Sequence, residues 1–295
     1  MTPSQLSLYV KIAETGSFTR AGQELNMTQP AVSRAISTLE SELGVTLLIR
    51  DRKQGVLLTD IGQRLLVLFR EILNGYHKVE QEVAAEKGGE VGTVRVGSFP
   101  IISTNFLPAI LREMGEKHPG LKFELYEGSI AEIKLWLSSR RIDVGWIIPP
   151  TEEFETLPFL QDRLCLLIRD DHPLANQPLV HITDLSHEPM ILCKGGFETP
   201  IYELFREHEA ALYCRYDVHN IHTALNMIRE GLGLAIVSRI SLSLSKLPPN
   251  VVVRPLEPQP IREIQLAVPS LCESSIAVKL FLQTAKNLYL SGGKE

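Results

Sequence analysis

Between residues 59 and 87 the chain has no proline, and Leu65, Phe69, Ile72, Tyr76, Val79 and Val83 recur there at intervals of four, three, four, three and four. Apolar side chains at that spacing form one seam along a continuous α-helix. About 29 residues make such a helix roughly 40 Å long. A seam on an otherwise polar helix must be covered, either by the chain's own body or by a second copy. Gly75 inside it costs about 1 kcal/mol relative to alanine and marks a bend, and the run Glu86-Lys87-Gly88-Gly89-Glu90 breaks the helix as a hinge. The 295 residues are thereby divided into a module at 1–58, a helix and hinge at 59–90, and a larger module at 91–295.

At 44% apolar and 22% charged residues the chain is an ordinary globular one. No run approaches eighteen apolar residues, so a membrane is not an expected partner. Residues 1–10 lack the basic and then apolar stretches of an export signal, which gives a cytoplasmic expectation. Cys165, Cys193, Cys214 and Cys272 show no C-x-x-C spacing and are expected to be reduced, with no metal site. Net charge is −5; residues 1–90 hold ten Lys/Arg and eleven Asp/Glu, and the rest holds twenty and twenty-four. Any DNA binding therefore depends on local placement of charge.

Residues 1–58 read as three short helices followed by a hairpin. The first carries Leu6, Val10 and Ala13 and stops near Gly16. The second, capped by Ser17, carries Phe18, Ala21 and Leu25 and ends at Asn26. The third starts after Thr28, a candidate cap, with Pro30 in its first turn. It buries Val32, Ile36, Leu39 and Leu43. Its opposite face, Pro30, Arg34, Ser37, Thr38 and Ser41, carries one positive charge and no acid. A helix that enters a major groove needs such a face, because long or acidic side chains hold it off the bases. Two apolar runs at 47–49 and 56–58 then flank a basic turn with a glycine, which reads as a wing. Its Arg50, Arg52 and Lys53 can reach phosphates or a minor groove.

The runs Ala13-Glu14-Thr15-Gly16-Ser17-Phe18-Thr19-Arg20-Ala21, Thr28-Gln29-Pro30-Ala31-Val32-Ser33-Arg34-Ala35-Ile36 and Leu58-Thr59-Asp60-Ile61-Gly62 resemble the winged helix-turn-helix signature of the LysR-type transcriptional regulators. Two positions depart from it: Gly22 stands where the family usually has alanine, and Leu48 where it usually has phenylalanine. The resemblance implies that Thr28, Gln29, Pro30, Ala31, Ser33, Arg34 and Ser37 face double-stranded promoter DNA, with Arg50, Arg52 and Lys53 in the wing. Gln29 can bond adenine bidentately, Arg34 a guanine or a phosphate, and Ala31 a thymine methyl. Since such proteins usually read DNA as dimers, the seam Leu65, Phe69, Ile72, Tyr76, Val79, Val83 is expected to join two copies, as a dimer or tetramer. RNA polymerase is a further partner consistent with that class.

The larger module alternates strand and helix. Strands at 93–97, 121–126 and 142–148 with helices at 106–116 and about 130–139 give βαβαβ, hence a parallel α/β sheet. A second series follows: strands at 164–168, 190–193, 213–218 and 234–238, and helices at 200–209 and 222–230. The strand 264–268 and the helix 275–289 close the chain and are expected to return to the first half. Two such lobes, with lobe I at about 91–161 and 268–295 and lobe II at about 162–267, resemble the periplasmic-binding-protein-like effector domain that this family carries.

Ligands of open α/β sheets sit beyond the carboxyl ends of strands. Gly97-Ser98 and Gly128-Ser129 occupy such ends in lobe I, and Gly195-Gly196-Phe197-Glu198-Thr199 does in lobe II, each before a helix whose free N–H groups favour an anion. The expected effector is a small carboxylate held by Ser98, Ser103, Ser129, Gly196 and Thr199, with Phe99, Ile101, Trp146 and Phe197 as apolar lining. Ordinary helix capping is the competing reading for each serine and threonine. No nucleophile elbow, zinc-protease motif or phosphate loop is present, and Gly231-Leu232-Gly233 lies in the wrong order for a dinucleotide site. No cofactor and no catalysis are expected. Two other readings are weaker: a regulator triggered by oxidation of Cys193 and Cys214, and a solute-binding protein or enzyme built on the two lobes.

Overall fold

The computed structural model describes residues 1–51, 55–87, 90–194, 198–242 and 246–289. They form two compact units, Met1–Gly92 with Ser139–Arg141, and Thr93–Ser138 with Ile142–Glu295.

The first unit contains α1 (Pro3–Thr15), α2 (Phe18–Glu24), α3 (Gln29–Leu43), the hairpin β1 (Leu48–Asp51) and β2 (Gly55–Leu58), and α4 (Asp60–Glu86). Its helices begin where short polar side chains can replace missing backbone partners. Thr2 and Gln5 form a reciprocal capping box at α1, the Ser17 hydroxyl accepts from the Arg20 N–H, and the Thr59 hydroxyl accepts from the Gly62 N–H at 3.0 Å. Thr28 stands at the N-cap of α3 but makes no side-chain capping bond. One of the two N–H groups it would cap belongs to position 30, a proline, which has none. The core is built on Leu8, Tyr9 and Ile12 of α1 more than on Val10 and Ala13, together with Val32, Ile36 and Leu39 of α3. Leu43, expected in the buried stripe, is exposed.

The second unit contains β3 (Gly92–Ser98), α5 (Pro100–Asn105), α6 (Leu107–Lys117), β4 (Leu121–Glu127), α7 (Ile130–Ser138), β5 (Val144–Ile147) and β6 (Glu155–Arg169). There follow β7 (Val180–His181), β8 (Pro189–Cys193), α8 (Glu198–Glu207), β9 (Tyr213–Val218), α9 (Ile221–Arg229), β10 (Ala235–Ser238), β11 (Val251–Arg254), β12 (Leu256–Glu257), β13 (Ile261–Val268) and α10 (Ile276–Tyr289). Seven strands form one sheet in the order β10-β6-β13-β5-β3-β4, with β11 also on β6. β3 and β5 are parallel, as the βαβ pattern requires, but β13 enters antiparallel between β5 and β6, so the sheet is mixed.

β6 is common to both lobes. Residues 155–163 pair with β13 in lobe I, and residues 164–169 pair with β10 and β11 in lobe II. β13 pairs with β5 through Gln265, Leu266 and Ala267, so the expected lobe boundary at 267/268 is corrected: the whole strand lies in lobe I. Lobe II adds the parallel pairs β8–β9 and β7–β12. Among the described residues no helix is long and apolar enough to cross a membrane, and no group of three or more His, Cys, Asp or Glu is placed to hold a metal.

Candidate nucleic-acid interface and interlobe cleft

In the first unit, α2 and α3 meet through a turn closed on Gly22. A Cβ built there would lie 2.9 Å from the Met27 carbonyl oxygen and 3.0 Å from Val32 Cγ2. The departure to glycine at this position thus brings the turn against α3, and Leu48, the other departure, is buried. Neither touches the outer face of α3.

Thr28, Gln29, Pro30, Ala31, Arg34 and Ser37 are exposed on that face, and Ser33 is half-buried. The Arg34 side chain makes no ion pair with a described residue, while its backbone carbonyl accepts from the Thr38 hydroxyl at 2.9 Å. Glu40 is turned inward, its carboxylate accepting from the Leu47 and Leu48 N–H groups at 2.6 and 3.1 Å. The first two turns of α3 therefore offer hydroxyls, an amide and one guanidinium with no acid among them. Arg52, Lys53 and the side chain of Arg50 lie outside the described residues; the strands β1 and β2 on either side of them are paired, and the Val56 N–H donates to the Gly16 carbonyl at 3.1 Å.

The seam on α4 divides. Phe69 is buried against α1, its ring edge-on to Tyr9 at 5.3 Å, and Leu65 packs on the same core. Of the expected joining seam, Phe69 thus lies in the interior of the unit and Leu65, partly buried, at the edge of its core, so both pack on the chain's own body. Ile72, Tyr76, Val79 and Val83 are exposed, Val79 by 63%, and Leu68 at 50% extends their stripe toward the helix start.

In the second unit two expected strand ends are brought together: the Gly128 N–H donates to the Ser98 carbonyl at 3.1 Å. The Ser98 hydroxyl is buried and lies 2.7 Å from that of Ser103. Ser129 caps α7 reciprocally, its N–H and hydroxyl both donating to the Glu132 carboxylate at 2.8 Å while its oxygen accepts from the Glu132 N–H. Capping is thus the observed role of Ser129, and the acid beside it opposes an anion there. Gly196, Phe197 and the side chain of Thr199 lie outside the described residues.

Trp146 is corrected outright. It is fully buried in lobe I, edge-on to Phe159 and Phe281 at 5.5 and 5.9 Å, because β5 is covered on both faces. Phe99 and Ile101 are also buried, so they underlie the strand end and do not face an open cleft.

The sequence reading missed a buried polar cluster at the crossover between lobes. Asp162 of β6 and Arg262 of β13 stand opposite one another and form an ion pair, both under 6% exposed. The Ser238 hydroxyl at the end of β10 donates to the other Asp162 oxygen at 2.6 Å and accepts from the Ile240 N–H at 3.1 Å. Burial pulls the Arg262 guanidinium below its ordinary range while Asp162 holds it up. A signal existed: the inward positions 264, 266 and 268, extended back by two, reach Arg262, whereas Ile261 points outward at 50% exposure.

Cys193 and Cys214 are not placed to form a disulfide in this structure. Cys193 and Cys214 lie on neighbouring strands, but Cys214 is opposite Met190, three residues from Cys193 and so roughly 10 Å along the strand. A disulfide needs Cα atoms within about 7 Å. Burial pushes the Cys193 thiol up to about 12, and burial followed by Asp217 raises that of Cys214.

A winged helix-turn-helix on a long helix, followed by a two-lobed α/β module, defines a DNA-binding regulator with a sensor domain. Residues 3–63 match the family model described as bacterial regulatory helix-turn-helix protein, lysR family, and residues 87–289 match the LysR substrate binding domain. The chain is 53% identical, over 98% of its length and 99% of the relative's, to the uncharacterized HTH-type transcriptional regulator YvbU of Bacillus subtilis strain 168. Its fold resembles a full-length OxyR variant from Pseudomonas aeruginosa (TM-score 0.76, 21% identity, 97% of this chain and 98% of the other). It also resembles full-length CbnR complexed with its target DNA (TM-score 0.63, 21% identity, 97% and 99%). The chain belongs to the LysR family of bacterial transcriptional regulators.

Proposed function

We propose that this regulator reads double-stranded promoter DNA with the outer face of α3 as a dimer or tetramer, and alters its DNA contacts when a small carboxylate occupies the cleft between its lobes. The observation that carries the reading is the acid-free start of α3, where Thr28, Gln29, Pro30, Ala31, Arg34 and Ser37 are exposed beside the half-buried Ser33 and the one guanidinium makes no ion pair with a described residue. The wing residues Arg50, Arg52 and Lys53 supply phosphate contacts to either side. CbnR, of the same fold, is held in a complex with its target DNA. Assembly uses the exposed stripe Leu68, Ile72, Tyr76, Val79 and Val83, since an apolar row of this length on a 27-residue helix needs a partner. Carboxylate binding is supported by the adjoining strand ends at Ser98 and Gly128, with the Ser103 hydroxyl beside them. A regulator of this kind acts on RNA polymerase at the promoters it occupies.

The test is Arg34→Ala in a footprinting or gel-shift titration against the chain's own promoter region. Loss of a base or phosphate contact costs about 1 to 3 kcal/mol, or roughly ten- to a hundredfold in affinity. Oligomeric state stays unchanged, because Arg34 lies far along the chain from the α4 stripe. A variant that footprints as tightly as the parent removes α3 from the reading surface.

A further inference from the structure

Burying two charges is costly, and a buried ion pair is often replaceable by an apolar pair with no loss of stability. The Asp162–Arg262 pair therefore has a use beyond holding the fold. Its position indicates which. Among the described residues Arg262 is the one fully buried cation of the larger unit. Its Cζ stands 6.0 Å from the centre of the Phe99 ring, at the carboxyl end of β3, where open α/β sheets take ligands. Ser238, at the end of β10 in lobe II, donates to the Asp162 that faces it, so the pair is held from both lobes.

We propose that Arg262 receives the anionic group of the effector and that Asp162 is its internal stand-in, displaced when a carboxylate enters. This rests on the reading of the cleft as a carboxylate site. The recorded contact between Asp162 and Arg262 runs through one guanidinium nitrogen to one oxygen. A free carboxylate can approach the same group through two parallel bonds, which is the stronger geometry. Asp162 is also tied through its other oxygen to Ser238, whose hydroxyl accepts from the Ile240 N–H. Displacing it moves the end of β10 and so changes lobe II. The Asp162 carboxylate beside the cation repels a dianion about twice as strongly as a monocarboxylate.

Acetate, benzoate and inorganic phosphate are titrated by calorimetry into the full-length chain and into Asp162→Asn, Ser238→Ala and Arg262→Met. Removing the internal competitor in Asp162→Asn is expected to tighten benzoate binding by about tenfold or more, with acetate following and phosphate not. Ser238→Ala, which loosens Asp162 without unpairing a charge, is expected to tighten it by a few fold and carries the test where Asp162→Asn does not fold. Arg262→Met abolishes carboxylate binding. Equal benzoate binding by the parent and Arg262→Met overturns the assignment, as does its absence from both folded competitor variants. Footprinting with the same compounds separates this from the functional reading. Arg262-dependent binding that never changes a footprint leaves the anion receptor standing and removes the effector role. A footprint that responds equally in Arg262→Met does the reverse.

Discussion

Gly62 stands where the start of α4 meets the rest of the DNA-binding unit. A Cβ there would lie 2.3 Å from the Leu47 carbonyl oxygen and 2.7 Å from the Tyr9 hydroxyl, and backbone cannot yield as a flexible side chain would. Leu47 is itself committed, its carbonyl accepting from the Thr59 N–H at 3.0 Å. Gly62→Ala is therefore expected to destabilise the unit by about 1 to 3 kcal/mol, seen as an earlier first transition in thermal unfolding, and an unchanged curve would show that α4 can lift off its neighbours without cost. The run Thr59-Asp60-Ile61-Gly62 was recognisable by resemblance, but the reason for its glycine was not, since the closing carbonyl comes from a residue fifteen positions earlier. Trp146 illustrates the opposite error. A tryptophan at a strand end looks like a ligand wall until the second covering layer, formed partly by the distant α10, is known.

Along α4 the apolar period was legible and its division between two tasks was not. A straight helix rotates its heptad positions slowly relative to a fixed neighbour. Leu65 and Phe69, beside α1, are taken into the core, and the later positions turn outward. Where α1 ends is a tertiary fact, so only the structure separates the two groups. Glutamate at both Ile72 and Val79 is expected to break assembly into monomers by light scattering and to weaken operator binding. Unfolding of the unit should hardly change, because both side chains are already exposed. A double variant that remains a dimer or tetramer would place the contact elsewhere on the chain. β6 shows how an element escapes a sequence reading: Pro158 interrupts residues 155–163, yet it fits because β13 shifts register between Ile264 and Gln265 opposite it.

The two units have separate hydrophobic cores with no residue in common, one around Tyr9 and Phe69 and the other running through Trp146, Phe281 and the strands of both lobes. A chain beginning at Thr93 is accordingly expected to fold alone, with one cooperative transition and the carboxylate binding of the parent but no operator affinity. A fragment that aggregates or lacks a transition would show that the larger core depends on the first unit. The alternation of strands and helices across this core was readable from local patterns. The return of β13 to lobe I was expected, but its antiparallel sense and its place between β5 and β6 were not, because pairing across about a hundred residues leaves no local trace. That return also means that lobe II enters and leaves lobe I by neighbouring strands, with the Leu164 N–H donating to the Pro260 carbonyl at 2.9 Å. Everything between those two residues is an insertion with its ends side by side. Evolution, or an engineer, can exchange it as a cassette, giving the same DNA reader a new half-mould for a different chemical signal while leaving every strand of lobe I in place.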